Sequence, residues 1–264
     1  MDLRLVVTDM DGTLLDGDRA IPVEFWAVLA ELQNRGVLFV PASGRQYATL
    51  ARLFAKVPDG LAFIAENGTY VVRDGVELSS TTLEPEFVQD VVSLLRGLDD
   101  SYDIGVVVCG KRSAYIERTD RAFVREAAQY YVELAQVSDV LDVDDEILKI
   151  AIYDFADAET STSPQLDSFR RTHQVVVSGE HWIDIMDPEA NKGLAVRELQ
   201  ERFGITPAQT VVFGDYLNDL EMLDAGDVSY AMANSHPEVL ARARFQAPSN
   251  TDHGVLTVLR ELLS

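Results

Sequence analysis

Two aspartates one residue apart close an apolar run in "LVVTDMDGTLL", residues 5–15, with Gly12 and Thr13 directly behind them. The run is rich in β-branched residues and has almost no polar interruption, the pattern of a parallel strand covered on both faces. Asp9 and Asp11 then stand where a strand leaves the core. Other residues able to do chemistry recur at comparable places: Ser43 after "VLFVPA", Lys192 at a predicted helix start, Asp215 after "TVVFG", and Asn218 and Asp219 one turn on. If these strands are neighbours in one parallel sheet, their carboxyl ends converge. Carboxylates gathered there repel one another unless a cation joins them. An all-oxygen ligand set suits Mg²⁺, which keeps several waters and also takes a phosphate oxygen.

Each residue type then has a task in phosphoryl transfer. Asp9 is the candidate nucleophile, forming an aspartyl phosphate. Asp11, two residues on and outside strict strand geometry, is the candidate acid that protonates the leaving oxygen and the base that activates water. Gly12 permits a tight turn, and the Thr13 hydroxyl can orient a carboxylate. Ser43 and Lys192 are expected on the phosphoryl oxygens, where charge builds in the transition state. Asp215 is expected on the metal, with Asn218 and Asp219 supporting its water shell or Lys192.

The elements that must position these residues follow a readable rhythm. "PVEFWAVLAELQNRG" opens at Pro22, carries Phe25, Val28, Leu29 and Leu32 on one helical face, and stops at Gly36. Strand "VLFVPAS", helix "RQYATLARLFAKV", strand "LAFIAEN" and a hairpin turned at Asp74-Gly75 follow. The middle of the chain changes character: helix "PEFVQDVVSLLRGL", strands "DIGVVVCG" and "SAYIER", helix "DRAFVREAAQYYVEL", strand "ILKIAIYDF", a helix near 164–172, and the strand pair "HQVVVSG" and "WIDIMD". From about 190 the first rhythm returns with helix "KGLAVRELQERFG", strand "TVVFGD", helix "LNDLEMLDAG" and strand "VSYAM". The expected fold class is α/β: a parallel sheet with helices on both faces, interrupted by an inserted α+β domain. The expected boundaries are 1–80 with 188–264 for the first domain and 81–187 for the insertion.

Composition narrows the partners. The 264 residues suffice for two domains, and 47% hydrophobic with 25% charged residues is ordinary for a globular chain. The balance of 22 basic against 44 acidic residues, net −22, argues against nucleic acid and anionic membrane surfaces as partners. A phosphorylated small metabolite must therefore be held by a local positive site. Cys109 is the only cysteine, which excludes an intramolecular disulfide and suits a small core residue. The start of the chain lacks the basic and apolar regions of a signal peptide, so a cytoplasmic protein, a monomer or small homo-oligomer, is expected.

The motifs "DMDGTLL", "ASGR", "NKG" and "GDYLND", in that order, resemble the four motifs of the haloacid dehalogenase superfamily of phosphatases. The segment between the second and third resembles the Cof-type, subclass IIB cap, and "VVVCGKRSAYI", "VDDEILKIAI" and "VVSGEHWIDIMDPEANKG" are similar to the sugar-phosphate phosphatases of that group. The resemblance covers essentially the whole chain. It implies a Rossmann-like core with a C2B-type cap, Mg²⁺ dependence, Asp9 as nucleophile, Asp11 as acid/base with its backbone carbonyl on the metal, and small phosphate monoesters as substrates. The implied sets are Thr13, Ser43, Gly44 and Lys192 for phosphate, and Asp9, Asp11 and Asp215 for metal. Met10 stands where many members carry another apolar residue, a spacer position.

Arg45, His181 and Trp182 are weaker candidates for substrate contact, since Arg45 also suits a surface ion pair and Trp182 also suits core packing. Among other readings, a phosphomutase shares the first half-reaction, and pyridoxal phosphate or a nucleotide-derived phosphate could replace a sugar phosphate. A receiver-type signalling domain uses a similar acidic pocket but leaves the insertion unexplained. A metabolite-binding protein has no need of the second aspartate.

Overall fold

The structure is a computed structural model that describes residues 2–57, 59–98 and 101–264. Its contacts divide the chain into two units, one of Met1–Gly44, Leu50–Ser79 and Asn191–Ser264, the other of Arg45–Thr49 and Ser80–Ala190.

In the first unit, β1 (Leu5–Thr8) is entirely buried and begins the chain's α/β alternation. It is followed by α1 (Phe25–Asn34), β2 (Leu38–Pro41), α2 (Tyr47–Leu53), which spans the division, β3 (Ala62–Ala65), β4 (Tyr70–Arg73) and β5 (Val76–Ser80). The face of α1 carrying Phe25, Val28, Leu29 and Leu32 is buried, as its spacing predicts. The helix starts at Phe25 rather than Pro22. β3, β4 and β5 form a three-stranded sheet, and Asp74 and Gly75 between β4 and β5 both take positive φ, as a two-residue type I′ hairpin turn requires.

The second unit contains α3 (Pro85–Arg96), β6 (Ile104–Gly110), β7 (Ala114–Ile116), α4 (Arg121–Ala127), β8 (Leu134–Gln136), β9 (Ile147–Asp154), β10 (Gln174–Gly179) and β11 (Trp182–Met186). They build a six-stranded sheet in the order β10-β11-β9-β6-β7-β8. All pairs are antiparallel except β7 with β8. Central β9 is buried along its length, including Lys149, whose Nζ lies 2.9 Å from Asp184 Oδ1. Cys109 is a buried core residue beside Phe123, Tyr153 and Trp182.

Two expectations fail here. The helix predicted over "DRAFVREAAQYYVEL" ends at Ala127, because Tyr131 turns into the apolar cluster and the chain enters β8. The helix predicted near 164–172 is two single turns, Ser163–Leu166 and Phe169–Arg171. Arg170 there donates to Ser163 Oγ and to the Val175 carbonyl, which ties the second turn to the first and to β10.

The chain returns to the first unit through α5 (Lys192–Phe203), β12 (Thr210–Gly214), α6 (Leu220–Leu223), β13 (Val228–Met232), α7 (Pro237–Arg242), β14 (Phe245–Ala247) and α8 (Gly254–Leu263). The main sheet is parallel throughout, in the order β14-β13-β12-β1-β2. β1 lies between β12 and β2, with Val7 opposite Val212 on one side and Val40 on the other. Parallel bridges at Phe39–Leu61 and Ala42–Ile64 place β3 beside β2. The helix read in "LNDLEMLDAG" is shorter than predicted, a turn at Leu217–Asp219 leading into four-residue α6, because the Asp219 side chain is committed to the preceding backbone.

Phe25, Phe39, Phe54 and Phe63 pack edge-on or tilted at centroid separations of 5.1–6.2 Å behind the sheet. Replacing Phe54, only 1% exposed, with alanine removes the ring that touches the other three. Phe54→Ala is expected to cost about 3–5 kcal/mol in denaturant unfolding.

Candidate active site

Asp9 is the first residue beyond β1. Its amide donates to the Phe213 carbonyl at 2.9 Å, which ties it to β12, and its side chain is buried. The next residues form a wide turn, closed by Leu14 N donating to Asp9 O at 3.3 Å and Leu15 N to Met10 O at 2.9 Å. Gly12 permits this turn twice over. Its φ is +77°, and a Cβ there would lie 2.2 Å from Asp215 Oδ2. The close approach brings Thr13 Oγ1 within 2.9 Å of Asp215 Oδ1, to which it donates. The Thr13 hydroxyl thus orients a carboxylate.

Lys192 reaches the same place from the opposite side of the sequence. The Asn191 side chain caps α5 by accepting from Leu194 N at 2.8 Å, which makes Lys192 the first helical residue. A lysine at the positive end of a helix is unfavourable unless anions face it. Here Nζ, wholly buried, donates to Asp9 Oδ1 at 2.6 Å and to Asp219 Oδ1 at 2.7 Å. The other oxygen of Asp219 accepts from the amides of Asp215 at 2.9 Å and Tyr216 at 3.3 Å. One carboxylate therefore sets both the ammonium and the loop after β12.

Oxygens of Asp9, Asp215 and Asp219 all lie within 4.8 Å of one another. Burial pushes the Asp9 carboxyl up to about 7, with Asp219 and Asp11 adding to the rise and Lys192 opposing it. Burial likewise raises Asp215 well above the ordinary carboxylate range, reinforced by Asp9 and Asp219 and opposed by the Thr13 hydroxyl. Burial alone would depress Lys192, but Asp219 and Asp9 outweigh it and hold the ammonium above its ordinary value. Three crowded carboxylates sharing one ammonium, with oxygen donors only, fit a hard divalent cation. Asp219 engages both oxygens, one with Lys192 and one with the Asp215 and Tyr216 amides, whereas Asp9 meets Lys192 through Oδ1 alone, so Asp9 and Asp215 are better suited to hold it.

Asp11 is half-buried in the turn, with extended backbone at φ −78° and ψ 122°. Ser43 follows β2 and is bonded through its backbone, its amide donating to Ile64 O and its carbonyl accepting from Asn67 N, both at 2.9 Å. Gly44 is next in the chain. Asn218 Nδ2 donates to Asn67 Oδ1 at 3.0 Å. Arg45, His181 and Trp182 belong to the second unit. There the Arg45 guanidinium donates to Gln129 O at 2.8 Å and lies 4.9 Å over the Tyr130 ring. His181 Nδ1 is 2.7 Å from the Ala156 carbonyl, and Trp182 packs among Tyr130, Tyr131 and Tyr153.

The sequence reading missed Asn234. Its Nδ2 donates to the Gly12 carbonyl at 2.8 Å, and its Oδ1 accepts from Asn250 N at 3.0 Å. Asn250 in turn donates to Leu15 O at 2.9 Å, so the two asparagines brace both ends of the turn behind Asp9. The available signal was positional. Asn234 closes "SYAMAN" at the end of β13, another strand of the parallel sheet.

The sequence profile of haloacid dehalogenase-like hydrolases matches residues 6–259. The 5-amino-6-(5-phospho-D-ribitylamino)uracil phosphatase YbjI of Escherichia coli is 33% identical, over 100% of this chain and 97% of its own. The HMP-PP phosphatase of Cronobacter sakazakii is 28% identical over 90% of this chain and 87% of its own. Among solved structures, SMU.1108c from Streptococcus mutans is similar with a TM-score of 0.91 and 26% identity, covering 99% of both chains.

The raised Asp9 and Asp215 carboxyls bind protons more tightly folded than unfolded. Their contribution to stability is therefore fully present below the unfolded value near 3.8 and is lost as pH rises through about 7 for Asp9. In chelator, Asp215→Asn removes one of the crowded charges. The variant is expected to gain stability relative to the parent protein as pH rises from about 4 to about 7. Urea unfolding across that range checks this, and a pH-independent difference would refute it.

Proposed function

Because the chain belongs to the haloacid dehalogenase-like hydrolases, as a Cof-type phosphatase, we propose that it is a Mg²⁺-dependent hydrolase of small phosphate monoesters that works through phospho-Asp9. The observation that carries this reading is the buried Asp9 carboxylate at the end of β1, 2.6 Å from Lys192 and grouped with Asp215 and Asp219.

Asp9 and Asp215, with the backbone carbonyl of Asp11, would hold the cation, and Ser43, Gly44 and Lys192 would receive the phosphoryl group. Bound there, the cation supplies charge neutralisation to the carboxylates and the phosphoryl oxygens. The residues of the chain do the rest. Lys192, fixed by Asp219, favours the Asp9 anion and aligns it for attack. An Asp9 carboxylate oxygen forms the bond to phosphorus as the ester P–O bond breaks, and Asp11 gives its proton to the departing alkoxide. Asp11, now ionised, takes a proton from water as that water attacks the phosphorus of phospho-Asp9. The acyl phosphate bond breaks, inorganic phosphate leaves, and Asp9 returns as a carboxylate. Thr13 keeps Asp215 oriented throughout, while Asn218 supports the adjoining loop.

The substrate class we infer is a sugar or sugar-alcohol phosphate. Support comes from the resemblance of the inserted segment to sugar-phosphate phosphatases, and from the relative at 33% identity, whose name gives it a phosphoribityl ester. The second unit, 80–190 with Arg45–Thr49, would then be the cap that chooses the leaving group. Closing such a cap would exclude bulk water from the acyl phosphate.

Phosphate release from a panel of sugar phosphates, nucleotides and pyridoxal phosphate tests the reading, with Mg²⁺ and with chelator. Release is expected only with Mg²⁺ and greatest for a sugar or sugar-alcohol phosphate. Asp9→Asn should lower kcat by about 10³-fold or more without changing the fold, checked by turnover and circular dichroism. Asp11→Asn should slow esters with poor leaving groups more than activated aryl esters. Equal slowing of both would remove Asp11 from the acid role.

A further inference from the structure

Directly behind β3, three consecutive residues hold left-handed backbone: Glu66 at φ +49°, Asn67 at +58° and Gly68 at +101°. Glycine adopts this region freely and asparagine tolerates it, whereas glutamate rarely does. Glu66 and Asn67 are each only 1% exposed, so the turn sits inside the unit rather than on a surface loop. Thr69 closes it, donating to the Glu66 carbonyl from its amide at 3.3 Å and from its hydroxyl at 3.0 Å. Backbone of this kind persists only where its surroundings over-determine it, and such places cluster at functional sites.

What the turn touches supplies the reason. Asn67 N donates to the Ser43 carbonyl at 2.9 Å. Asn67 Oδ1 accepts from Asn218 Nδ2 at 3.0 Å, and a Cβ at Gly44 would lie 3.1 Å from the same oxygen. On the other side, a Cβ at Gly68 would lie 2.5 Å from the Asn191 carbonyl and 3.0 Å from Lys192 N. One short turn therefore meets the segment of Ser43 and Gly44, the loop of Asn218, and the start of α5 that carries Lys192. These three segments are far apart in sequence and share no hairpin that would fix their mutual register.

We propose that Asn67 is a positioning residue. Its backbone amide sets the height of Ser43, and its side-chain oxygen, beside Gly44, holds Asn218, so that the proposed phosphate-binding residues stand in register with Asp9 and Lys192. The catalytic consequence rests on the phosphatase reading above, while the positional claim is readable without turnover.

Asn67→Gly is the informative variant. Glycine accepts φ +58° without strain and keeps the amide to Ser43, so the loss is confined to the side chain, including its Oδ1 acceptor. Asn218→Ala removes the partner, and the double variant completes a cycle. With p-nitrophenyl phosphate and Mg²⁺, each single change is expected to lower kcat about 10-fold while KM stays within about 3-fold, and the double should be no worse than the more damaged single. A kcat within about twofold of the parent for Asn67→Gly, or losses that multiply in the double, would overturn the proposal. Amide exchange is measured in parallel on the metal-free proteins. Asn67→Gly should speed exchange of the peptide bearing Ser43 and Gly44 about 10-fold, and unchanged exchange would also overturn the proposal. If the parent protein releases no phosphate from any ester, the phosphatase reading fails by itself, and exchange alone decides the positioning role.

Discussion

A single buried ammonium organises the catalytic unit. Lys192 Nζ, at 0% exposure, lies between Asp9 and Asp219, and a charge removed from water to that degree is tolerable only when it is fully paired. The surrounding structure serves that pairing. Asn191 starts α5 at the right residue, and the Asn191–Lys192 backbone is approached so closely by Gly68 that no larger residue fits. At Gly193 a Cβ would lie 2.3 Å from the Glu221 carbonyl, which lets the start of α5 sit against α6. Asp219 spends one oxygen on Lys192 and the other on the amides of Asp215 and Tyr216, so the position of the loop after β12 and the position of the lysine are set by one side chain.

This dependence explains why much of the site was legible before any coordinates. A parallel sheet with β1 between β12 and β2 must bring the residues after those strands to one edge, and polar residues at that edge have no core reason to be there. Asp9 and Asp215 were readable on that ground, and Lys192 because a cation at a helix start needs anions. The asparagines were not. Asn67 and Asn234 act through one or two hydrogen bonds each, and an asparagine in a turn has the same local signature whether it braces a catalytic loop or only tolerates positive φ. Legibility of the fold failed on similar grounds. The strand at Leu134–Gln136 is three residues long, and it follows "QYY", whose apolar rings fit a helix face and a sheet face alike. The run of "SPQLDSFRR" has helical spacing, yet its Arg170 side chain reaches across to Ser163 Oγ and to the Val175 carbonyl of β10, contacts that a helical pattern does not announce.

The second unit solves a different problem. Its sheet is mainly antiparallel, with short hairpin connections at β6–β7 and β10–β11 and long ones elsewhere, and it carries a buried Lys149–Asp184 pair. Arg45–Thr49 is counted with it because those side chains bond residues 129–133 reciprocally: Gln46 donates to Glu133 O and accepts from Glu133 N, and Thr49 does the same with Tyr130 O and Val132 N. The Arg45 guanidinium is likewise engaged with Gln129 and Tyr130. An arginine two residues beyond Ser43 therefore speaks to the packing of this unit as well as to any substrate contact.

Charge connects the two scales of the molecule. Three carboxylates against one ammonium leave a formal −2 in the catalytic group, inside a chain whose net charge is −22. Both numbers repel a phosphate ester, so neither general electrostatic attraction nor the lysine alone can gather the substrate. Protonating Asp9, which burial and its acidic neighbours favour up to about pH 7, would relieve the crowding. It would also remove the lone pair that has to attack phosphorus. With its carboxyl pushed up to about 7, Asp9 is only partly ionised at neutral pH, and in the proposed mechanism positive charge added to the group without a proton favours the ionised nucleophile. In that mechanism cation binding and nucleophile ionisation would support one another, a coupling set by the burial that fixes Lys192 between its two aspartates.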